Sequence, residues 1–464
     1  MIAEYFPRTK SSRAMSSSTP PIILSFSVPW QQDNLLTFLR RAGHASRFFW
    51  ENENQPLGFA GFGVAASIQA QGKNRFHTIQ TQAADIFART TQLVGDVPDF
   101  LRPRFFGGFS FSPTLNEQEP WQAFSPAHFI LPQYLLTHYE GTAWLTIHLT
   151  IPADTPDDEY EWRVREALWD IPPVQTLPPR TVATSNGAFA TDSTLSFDMW
   201  ATMIAHAQQD INAGRIQKVV LSTHRCGTIP DALTPPIILG RLRGRYPDCN
   251  RFLFEPRRGH AFFGASPERL VKRVGNRVET VALAGSAPRG SSFEEDRAFG
   301  DALLNSDKDR AEHAFVVDAV QQNLGPITDT ISVKDKPELY RLNNIQHLLT
   351  PIRAELSRPA HVLDIVERLH PTPAVGGVPQ ADALDFIQNH EPHNRGWYAS
   401  PIGWFDANGD GEFIVALRSA ALTNSNIHLF AGAGIVGASD AEKEWREIGL
   451  KFRPIQDTLS GVGQ

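Results

Sequence analysis

Ile216-Gln-Lys-Val-Val-Leu-Ser-Thr223 is a short, mostly apolar run that predicts a β-strand and places a lysine, Lys218, inside it. A helix is predicted just before this strand, because Ser196 can cap a helix running to about Asn212 and Gly214 suits the position after its last turn. A lysine in a strand usually lies on a solvated face, whereas a buried one has a lowered pKa and can act as a base. The strand alone leaves both interpretations of Lys218 open.

A second decisive stretch is Phe262-Phe-Gly-Ala-Ser-Pro-Glu-Arg-Leu270, which puts the carboxyl group of Glu268 directly after an aromatic run. A desolvated carboxyl group has a raised pKa and can serve as a general acid. The plainer alternatives are a turn or an ion pair with Arg269. Further along, Phe413-Ile-Val-Ala-Leu-Arg418 and Ile427-His-Leu-Phe-Ala431 predict two strands joined by a turn.

The composition is that of an ordinary globular protein, with 464 residues, 41% hydrophobic and 20% charged. Forty-three basic against fifty acidic residues give a charge of −7, which argues against nucleic acid or an anionic membrane as partner. No apolar run is long enough to predict a membrane span. Two cysteines, Cys226 and Cys249, argue against a disulfide scaffold or a Cys-based zinc site, and predict a cytoplasmic protein.

Three regions are predicted along the chain. Residues 1–22 are rich in Ser, Thr, Pro and Arg and predict a flexible tail without the apolar core of a secretory signal. Residues 23–195 alternate short apolar runs with glycine and polar turns, which predicts a β-rich part with helices such as Gln80 to Leu93. Residues 152–192 are rich in proline and predict a surface connection to the region 196–460.

Two predicted helices carry carboxylates near apolar faces. Ser306 with Asp309, and Ser439 with Glu442, resemble capping boxes. In the first helix Asp309 and Glu312 lie one turn apart, with Glu312 on or beside an apolar stripe.

The second helix, near the C-terminus, places Glu444, Glu447 and Lys451 on one face. If the two helices converge, their carboxylates would repel unless a cation lay between them, and all-oxygen ligands favour Mg²⁺. The spacing alone equally allows two solvated helix faces.

Two patterns resemble known motifs without their required context. Gly432-Ala-Gly434-Ile-Val-Gly437 has the glycine spacing of a dinucleotide site, but too little chain follows it for the required βαβ unit. Its glycines can instead let backbone N–H groups approach an anion. Asp406-Ala-Asn-Gly-Asp-Gly411 resembles the start of a calcium loop, but Leu417 stands where a bidentate Glu is needed, so a hairpin turn is predicted.

Eight stretches, taken together, resemble the chorismate-utilising enzymes, the family of isochorismate, anthranilate, salicylate and aminodeoxychorismate synthases. Besides the Lys218 strand and the Glu268 stretch they are Leu283-Ala-Gly-Ser-Ala-Pro-Arg-Gly290, Lys308-Asp-Arg-Ala-Glu-His313, His370-Pro-Thr-Pro-Ala-Val-Gly-Gly377, Arg395-Gly-Trp-Tyr-Ala-Ser-Pro-Ile-Gly403, and Gly432-Ala-Gly-Ile-Val436 followed by Glu444-Trp-Arg-Glu447 and Lys451. The resemblance implies an α+β fold in which two large, mostly antiparallel β-sheets stack as one unit with helices outside. It is strong over residues 196–460 and weaker before them.

The resemblance also implies a role for each matching residue. Within the family the chain most resembles the menaquinone-type isochorismate synthases, in which Lys218 would be the base that activates water and Glu268 the acid that protonates the departing C4 hydroxyl. The implied Mg²⁺ ligands, direct or through water, are Glu312 and Glu444, supported by Asp309 and Glu447. The implied substrate-binding positions are Ser286, His347, Ala374, Tyr398, Arg418, Gly432, Gly434 and Lys451.

Single positions separate the members of this family. The nucleophilic lysine of aminodeoxychorismate synthases is absent from Ala282-Leu-Ala-Gly-Ser286, and Lys218 supplies a base that ammonia-using enzymes do not need. Ala374 stands where salicylate synthases carry Thr, so salicylate synthase is the alternative. A non-catalytic chorismate-binding paralogue would lack Lys218, Glu268 or a metal carboxylate.

The expected activity is the reversible, Mg²⁺-dependent conversion of chorismate to isochorismate, for menaquinone or for a siderophore. Expected partners are these two small molecules, with no nucleic acid and no membrane. The protein is expected to be a monomer or a weak homodimer in the cytoplasm.

Overall fold

The computed structural model describes residues 20–93, 95, 97–115, 118–175 and 189–460. Nearly all of the predicted tail 1–22, and part of the predicted connection 152–192, lie outside these residues. The described chain forms 23 strands, ten α-helices and three short 3-10 helices.

The strands are β1 (Ile22–Pro29), β2 (Arg47–Glu51), β3 (Leu57–Phe62), β4 (Ala66–Ala70), β5 (Thr90–Gln92), β6 (Arg104–Phe109), β7 (Ala127–Leu131), β8 (Tyr134–Tyr139), β9 (Thr142–Ile151), β10 (Asp192–Ser193), β11 (Lys218–Thr228), β12 (Asn250–Arg257), β13 (His260–Ser266), β14 (Arg269–Val274), β15 (Arg277–Pro288), β16 (Thr328–Val333), β17 (Glu338–Arg341), β18 (Ile345–Leu356), β19 (Gly377–Val378), β20 (Pro401–Asp406), β21 (Gly411–Val415), β22 (Ser419–Thr423) and β23 (Asn426–Ile435).

The helices are α1 (Leu35–Leu39), α2 (Arg75–Phe87), α3 (Tyr160–Trp169), α4 (Phe197–Asn212), α5 (Pro235–Arg245), α6 (Phe293–Asn305), α7 (Asp307–Leu324), α8 (Val362–Leu369), α9 (Gln380–His390) and α10 (Ala441–Ser460). Among the described residues, none of these helices combines the length and the apolar character needed to cross a membrane.

The strands form two large sheets, as the α+β expectation requires. The first has 13 strands in the order β10-β11-β23-β22-β13-β12-β2-β3-β8-β9-β1-β5, with β19 also paired to β11. The second has ten in the order β16-β18-β15-β14-β21-β20-β6-β7-β4, with β17 paired to β18. Strands β1 and β5 pair in parallel and the other pairs are antiparallel. The predicted fold class is confirmed.

Aromatic side chains hold the two sheets face to face. Phe48 of β2 and Phe59 of β3 meet Phe106 of β6 in the opposite sheet, with ring centroids 4.2 and 5.2 Å apart. All three rings are buried. Each ring removes a large apolar area from water, and tilted or edge-on pairs add roughly 0.5–1.5 kcal/mol beyond that burial. This shared core spans both sheets.

Several local predictions are confirmed and others are wrong. Ser196 caps α4 through the Met199 N–H, and Gly214 after the helix has a φ of +72°. The Asp406 turn is the predicted hairpin, between β20 and β21. The predicted helix Gln80–Leu93 is instead α2, Arg75–Phe87, which begins five residues earlier and ends six residues earlier. The proline-rich connection contains α3.

Two further corrections concern the C-terminal region. Residues 413–418 and 427–431 do not form one hairpin. Residues 413–415 belong to β21 in the second sheet, whereas residues 427–431 belong to β23 in the first sheet, where β23 pairs with β22. The last helix is capped by Asp440, whose Oδ1 accepts from the Lys443 N–H at 2.9 Å, and not by Ser439.

Candidate active site

The cavity of interest opens where β11 and β23 of the first sheet face β15 and β18 of the second, under α7 and α10. Thirteen of the fourteen predicted site residues line it: Glu268, Ser286, Asp309, Glu312, His347, Ala374, Tyr398, Arg418, Gly432, Gly434, Glu444, Glu447 and Lys451. Lys218 lies directly behind Glu312. The fold therefore collects residues spread over more than 200 positions of the chain into one place.

Glu268 and Arg418 both sit where the chain crosses between the sheets. Glu268 follows β13 of the first sheet and precedes β14 of the second, and Arg418 lies between β21 and β22. The two crossovers are bonded to each other, since the Val415 N–H donates to Glu268 O at 3.1 Å and the Ala265 N–H donates to Arg418 O at 3.2 Å. Arg418 has a φ of +47°, which the crossover imposes on a residue that rarely adopts it.

The carboxyl group of Glu268 is built to hold a proton. Glu268 is 3% exposed, and burial raises its pKa to about 8 although the positive charges of Lys218 and Lys451 oppose this. At neutral pH the group is therefore mostly protonated, as a general acid must be before it acts. The prediction of a desolvated acid fits this environment better than a solvent-exposed turn does.

Lys218 is a fully buried amine at the start of β11. Its Nζ lies 2.8 Å from Glu312 Oε1, off the direction of a well-formed hydrogen bond, so the contact is chiefly an ion pair. Burial alone would raise the pKa of Glu312, but the adjacent positive charge of Lys218 holds it below its ordinary value. The solvated-face interpretation of Lys218 is therefore wrong.

Arg418, His347 and Ser286 form a connected set of side chains that line the cavity. Arg418 Nη2 donates to His347 Nε2 at 2.8 Å, and the pKa of His347 is well below its ordinary value because the ring is buried beside Arg418 and Lys451. With Nε2 accepting, Nδ1–H donates to Gly285 O and Ser286 Oγ, both at 3.1 Å. Arg418 Nη1 is buried without a partner among the described residues, so it can receive an anion.

Helices α7 and α10 converge, as the carboxylate pattern suggested. Glu444, with Ile448 and Phe452, belongs to the buried face of α10, and its Oε1 accepts from Lys308 of α7 at 3.0 Å. Burial and the neighbouring charge of Glu447 raise the pKa of Glu444. Two solvated faces would show neither the contact nor the burial.

These carboxylates have the chemistry of a Mg²⁺ site. Asp309, Glu312, Glu444 and Glu447 line one cavity, and burial raises the pKa of Asp309, to which the charges of Glu312 and Glu447 add. Among the described residues their oxygens are not yet gathered into a tight cluster. Lysines hold three of them, Glu312, Glu444 and, at 2.8 Å, Glu447. The residues fit an oxygen-liganded cation that would take over these contacts.

The two glycines of β23 leave room at the cavity wall. A Cβ at Gly434 would lie 2.5 Å from Glu312 Oε1 and 3.0 Å from Lys218 Cε, and one at Gly432 would lie 3.3 Å from the Tyr398 hydroxyl. The Gly432 carbonyl accepts from Lys451 Nζ at 2.8 Å. The segment is a strand and not a phosphate loop, so the dinucleotide interpretation is excluded.

Three further polar residues line the cavity without having been assigned a role from the sequence: Ser222, Lys308 and Arg395. Arg395 donates to Glu391, to Val220 O and to Val375 O, so its guanidinium is used by the protein itself. Lys308 directly precedes Asp309 in the chain, and that adjacency was the available signal for it.

The matching family profile carries the description Chorismate binding enzyme and covers residues 9–460. The chain belongs to this enzyme family. It is 38% identical over 417 residues to "Salicylate biosynthesis isochorismate synthase" of Pseudomonas aeruginosa, covering 89% of this chain and 85% of that protein. It is 34% identical over 422 residues to "Isochorismate synthase MenF" of Bacillus subtilis, covering 90% and 88%.

A solved structure agrees with these relatives. The menaquinone-specific isochorismate synthase MenF from Escherichia coli superposes with a TM-score of 0.78 at 26% identity, over 96% of each chain. The predicted family and enzyme class are therefore confirmed. The individual role of each site residue stays a prediction.

Proposed function

We propose that this enzyme is an isochorismate synthase that converts chorismate to isochorismate with the help of Mg²⁺. The observation that supports this most is the pairing, at one cavity, of a buried amine at Lys218 with a carboxyl group at Glu268 whose pKa is raised to about 8. Lys218 begins β11 of the first sheet and Glu268 lies at the crossover from β13 to β14, so the two groups come from different strands.

The chemistry needs one proton taken and one given. Lys218 Nζ would accept a proton from water as the water oxygen bonds to C2 of the ring. Glu268 would donate its proton to the C4 hydroxyl, which leaves as water, and the ring double bonds shift between these carbons. General acid and base groups contribute typically 10²–10⁴-fold each. Because Lys218 gains one proton and Glu268 loses one, the summed charge of these two side chains stays constant.

The cationic residues and the glycines that line the cavity would orient the substrate. Chorismate carries two carboxylates, and Arg418 Nη1 and Lys451 Nζ offer charge-assisted donors at the cavity wall. Gly432 and Gly434 keep the β23 face open for the ring to lie against the strand. Tyr398 stacks on Phe430 with centroids 5.3 Å apart, which fixes its hydroxyl beside Gly432.

Glu312 and Glu444, with Asp309 and Glu447 in support, would hold Mg²⁺, which when bound would supply positive charge against a substrate carboxylate. Lys308 bonds to Glu444 and Lys451 to Glu447, so these two lysines already balance part of the negative charge at this end of the cavity.

The alternative activity is salicylate synthesis, in which isochorismate would go on to lose pyruvate. Ala374 lines the cavity where the resemblance places a Thr in salicylate synthases, and this favours release of isochorismate. The relatives are named for both salicylate and menaquinone supply, so the product is proposed to serve one of these two routes.

The test is incubation of the purified protein with chorismate and Mg²⁺, followed by chromatographic separation of isochorismate, salicylate and anthranilate. Isochorismate formation that stops when a chelator removes Mg²⁺ is the expected result. Salicylate with pyruvate as the main products would identify the alternative activity. A parallel reaction with ammonium should give no anthranilate, and anthranilate formation would overturn the assignment of Lys218 as a base for water.

A further inference from the structure

A second group of potential metal ligands lies on the first sheet, beyond the active-site cavity. His224 and Cys226 stand two residues apart on β11 and so point to the same face, and His428 of β23 is the direct cross-strand partner of Cys226. The sheet register therefore brings one thiol and two imidazoles together from positions about 200 residues apart. The number of cysteines could not predict this group of ligands, because that number bears only on metal sites built mainly from cysteine.

The ligand atoms of these three residues already lie close together. All of them are within 4.8 Å of one another, and Cys226 Sγ is 3.2 Å from His428 Nδ1. A tetrahedral zinc ion, with bonds of about 2.0–2.3 Å, holds such atoms roughly 3.3–3.7 Å apart. Side-chain rotations that move the ligand atoms by about an ångström would bring them to these distances.

The hydrogen bonds of His224 leave one ring nitrogen available for a metal. The Thr194 hydroxyl donates to the His224 carbonyl at 2.7 Å, so its oxygen must accept from His224 Nδ1–H at 3.2 Å. That fixes the tautomer in which Nε2 carries the free lone pair. Metal-binding histidines are commonly oriented by such a hydrogen bond from the other ring nitrogen.

Other polar side chains surround the three proposed ligands. The centroid of the His224 ring lies 5.0 Å from that of His393 and 5.8 Å from that of His428. The carboxylate of Glu119 is close enough to act electrostatically on both Cys226 and His428. Glu119 therefore places a negative charge in the neighbourhood of the cluster.

We propose that His224, Cys226 and His428 form a binding site for a single Zn²⁺ ion, separate from the carboxylate site for Mg²⁺. One thiolate and two imidazoles suit a borderline-soft ion and not Mg²⁺, so the two sites select different metals. On binding, the Cys226 thiol loses its proton to solvent and its sulfur bonds to the metal.

The site is linked to the active-site cavity along the same strand face. Ser222, two residues before His224, lines the cavity and shares a 3.0 Å hydrogen bond with His393 Nε2. The His393 and His224 rings lie 5.0 Å apart. The ring of Phe430, opposite His224 in the register, also lines the cavity. Zinc at the cluster would therefore fix the wall behind Ser222 and Phe430.

The experiment uses Co²⁺ as a visible substitute for Zn²⁺ on the full-length, chelator-treated protein in excess Mg²⁺, which occupies the carboxylate site. The expected result is a sulfur-to-cobalt charge-transfer band that saturates at one equivalent per chain and disappears when Zn²⁺ is added. Cys226→Ala should abolish the band, and His428→Ala should weaken binding by roughly 10–100-fold. Cys249→Ala is the matched control, because Cys249 is the other free cysteine and lies elsewhere.

Several outcomes would overturn the proposal. They are the absence of a thiolate band in the wild type, a band that survives Cys226→Ala, and a band lost equally in Cys249→Ala. Melting curves add a second readout, since Zn²⁺ should raise the melting temperature of the wild type and of Cys249→Ala but not that of Cys226→Ala. Chorismate turnover by Cys226→Ala with Mg²⁺ should persist, which separates this proposal from the proposed activity.

Discussion

Replacing Glu268 with Gln tests the acid assignment most directly, because the variant keeps the shape of the side chain and removes its proton. With a pKa of about 8, Glu268 is about 90% protonated at pH 7 and about 10% at pH 9. A general acid contributes typically 10²–10⁴-fold. We therefore expect Glu268→Gln to lower kcat/KM at pH 7 by roughly that factor.

The pH dependence distinguishes this from a merely damaged site. The ratio of wild-type to Glu268→Gln activity should fall about tenfold between pH 7 and pH 9, since only the wild type loses an acid there. Taking the ratio cancels the titration of the other groups that both proteins share. It is measured as kcat/KM for isochorismate formation at saturating Mg²⁺.

The folding stability of the wild type and of Glu268→Gln is the control for this prediction. Because folding raises the pKa of Glu268 above its ordinary value near 4.5, the folded protein binds the extra proton, and its stability falls as pH rises from about 4.5 to about 8. The full effect is on the order of 5 kcal/mol. Glu268→Gln should thus be no less stable than the wild type at pH 8 in thermal melts. A pH-independent activity ratio, or an unfolded variant, would refute the reasoning.

Three other substitutions test neighbouring parts of the site. Lys218→Ala should abolish isochorismate formation while chorismate still binds by calorimetry, and Lys218→Arg, which keeps the charge of the Glu312 ion pair, should be equally inactive; turnover by either contradicts the base assignment. Glu312→Gln should raise the Mg²⁺ concentration for half-maximal activity by roughly 10–100-fold, and an unchanged Mg²⁺ titration would count against its ligand role. Gly434→Ala should lower stability by about 1–3 kcal/mol and reduce activity, because its Cβ would lie 2.5 Å from Glu312 Oε1. Its control, Gly449→Ala on α10, meets nothing within 4 Å and should be at least as stable as the wild type in denaturant titrations.

The sequence could predict those features of the fold that depend on a few neighbouring residues. The start of α4 at the Ser196 cap and the strand that carries Lys218 depend on neighbouring residues alone, and both are confirmed. The boundary between β21 and β22 was missed, because the apolar run continues through Ala416 and Leu417 while the chain changes sheets. Nothing in a local window distinguishes a crossover from a continuing strand.

The candidate site was likewise predictable from the sequence only in part. Resemblance to the family identified the residues that line the cavity, but not which of them hold each other in place. The bond between Arg418 and His347 and the contact between Lys308 and Glu444 join residues 71 and 136 positions apart, so only the folded sheets and helices reveal them. The grouping of Cys226 with two histidines has the same origin.

The pairing of β2 with β12 and of β6 with β20 has a consequence for how the protein can be divided. A fragment beginning at residue 196 would leave Arg251–Glu255 and Ile402–Asp406 with rows of unsatisfied backbone groups beside bare aromatic surface. Such edges recruit strands from other molecules. Expressing only residues 196–460 would therefore yield inclusion bodies and not a minimal catalyst.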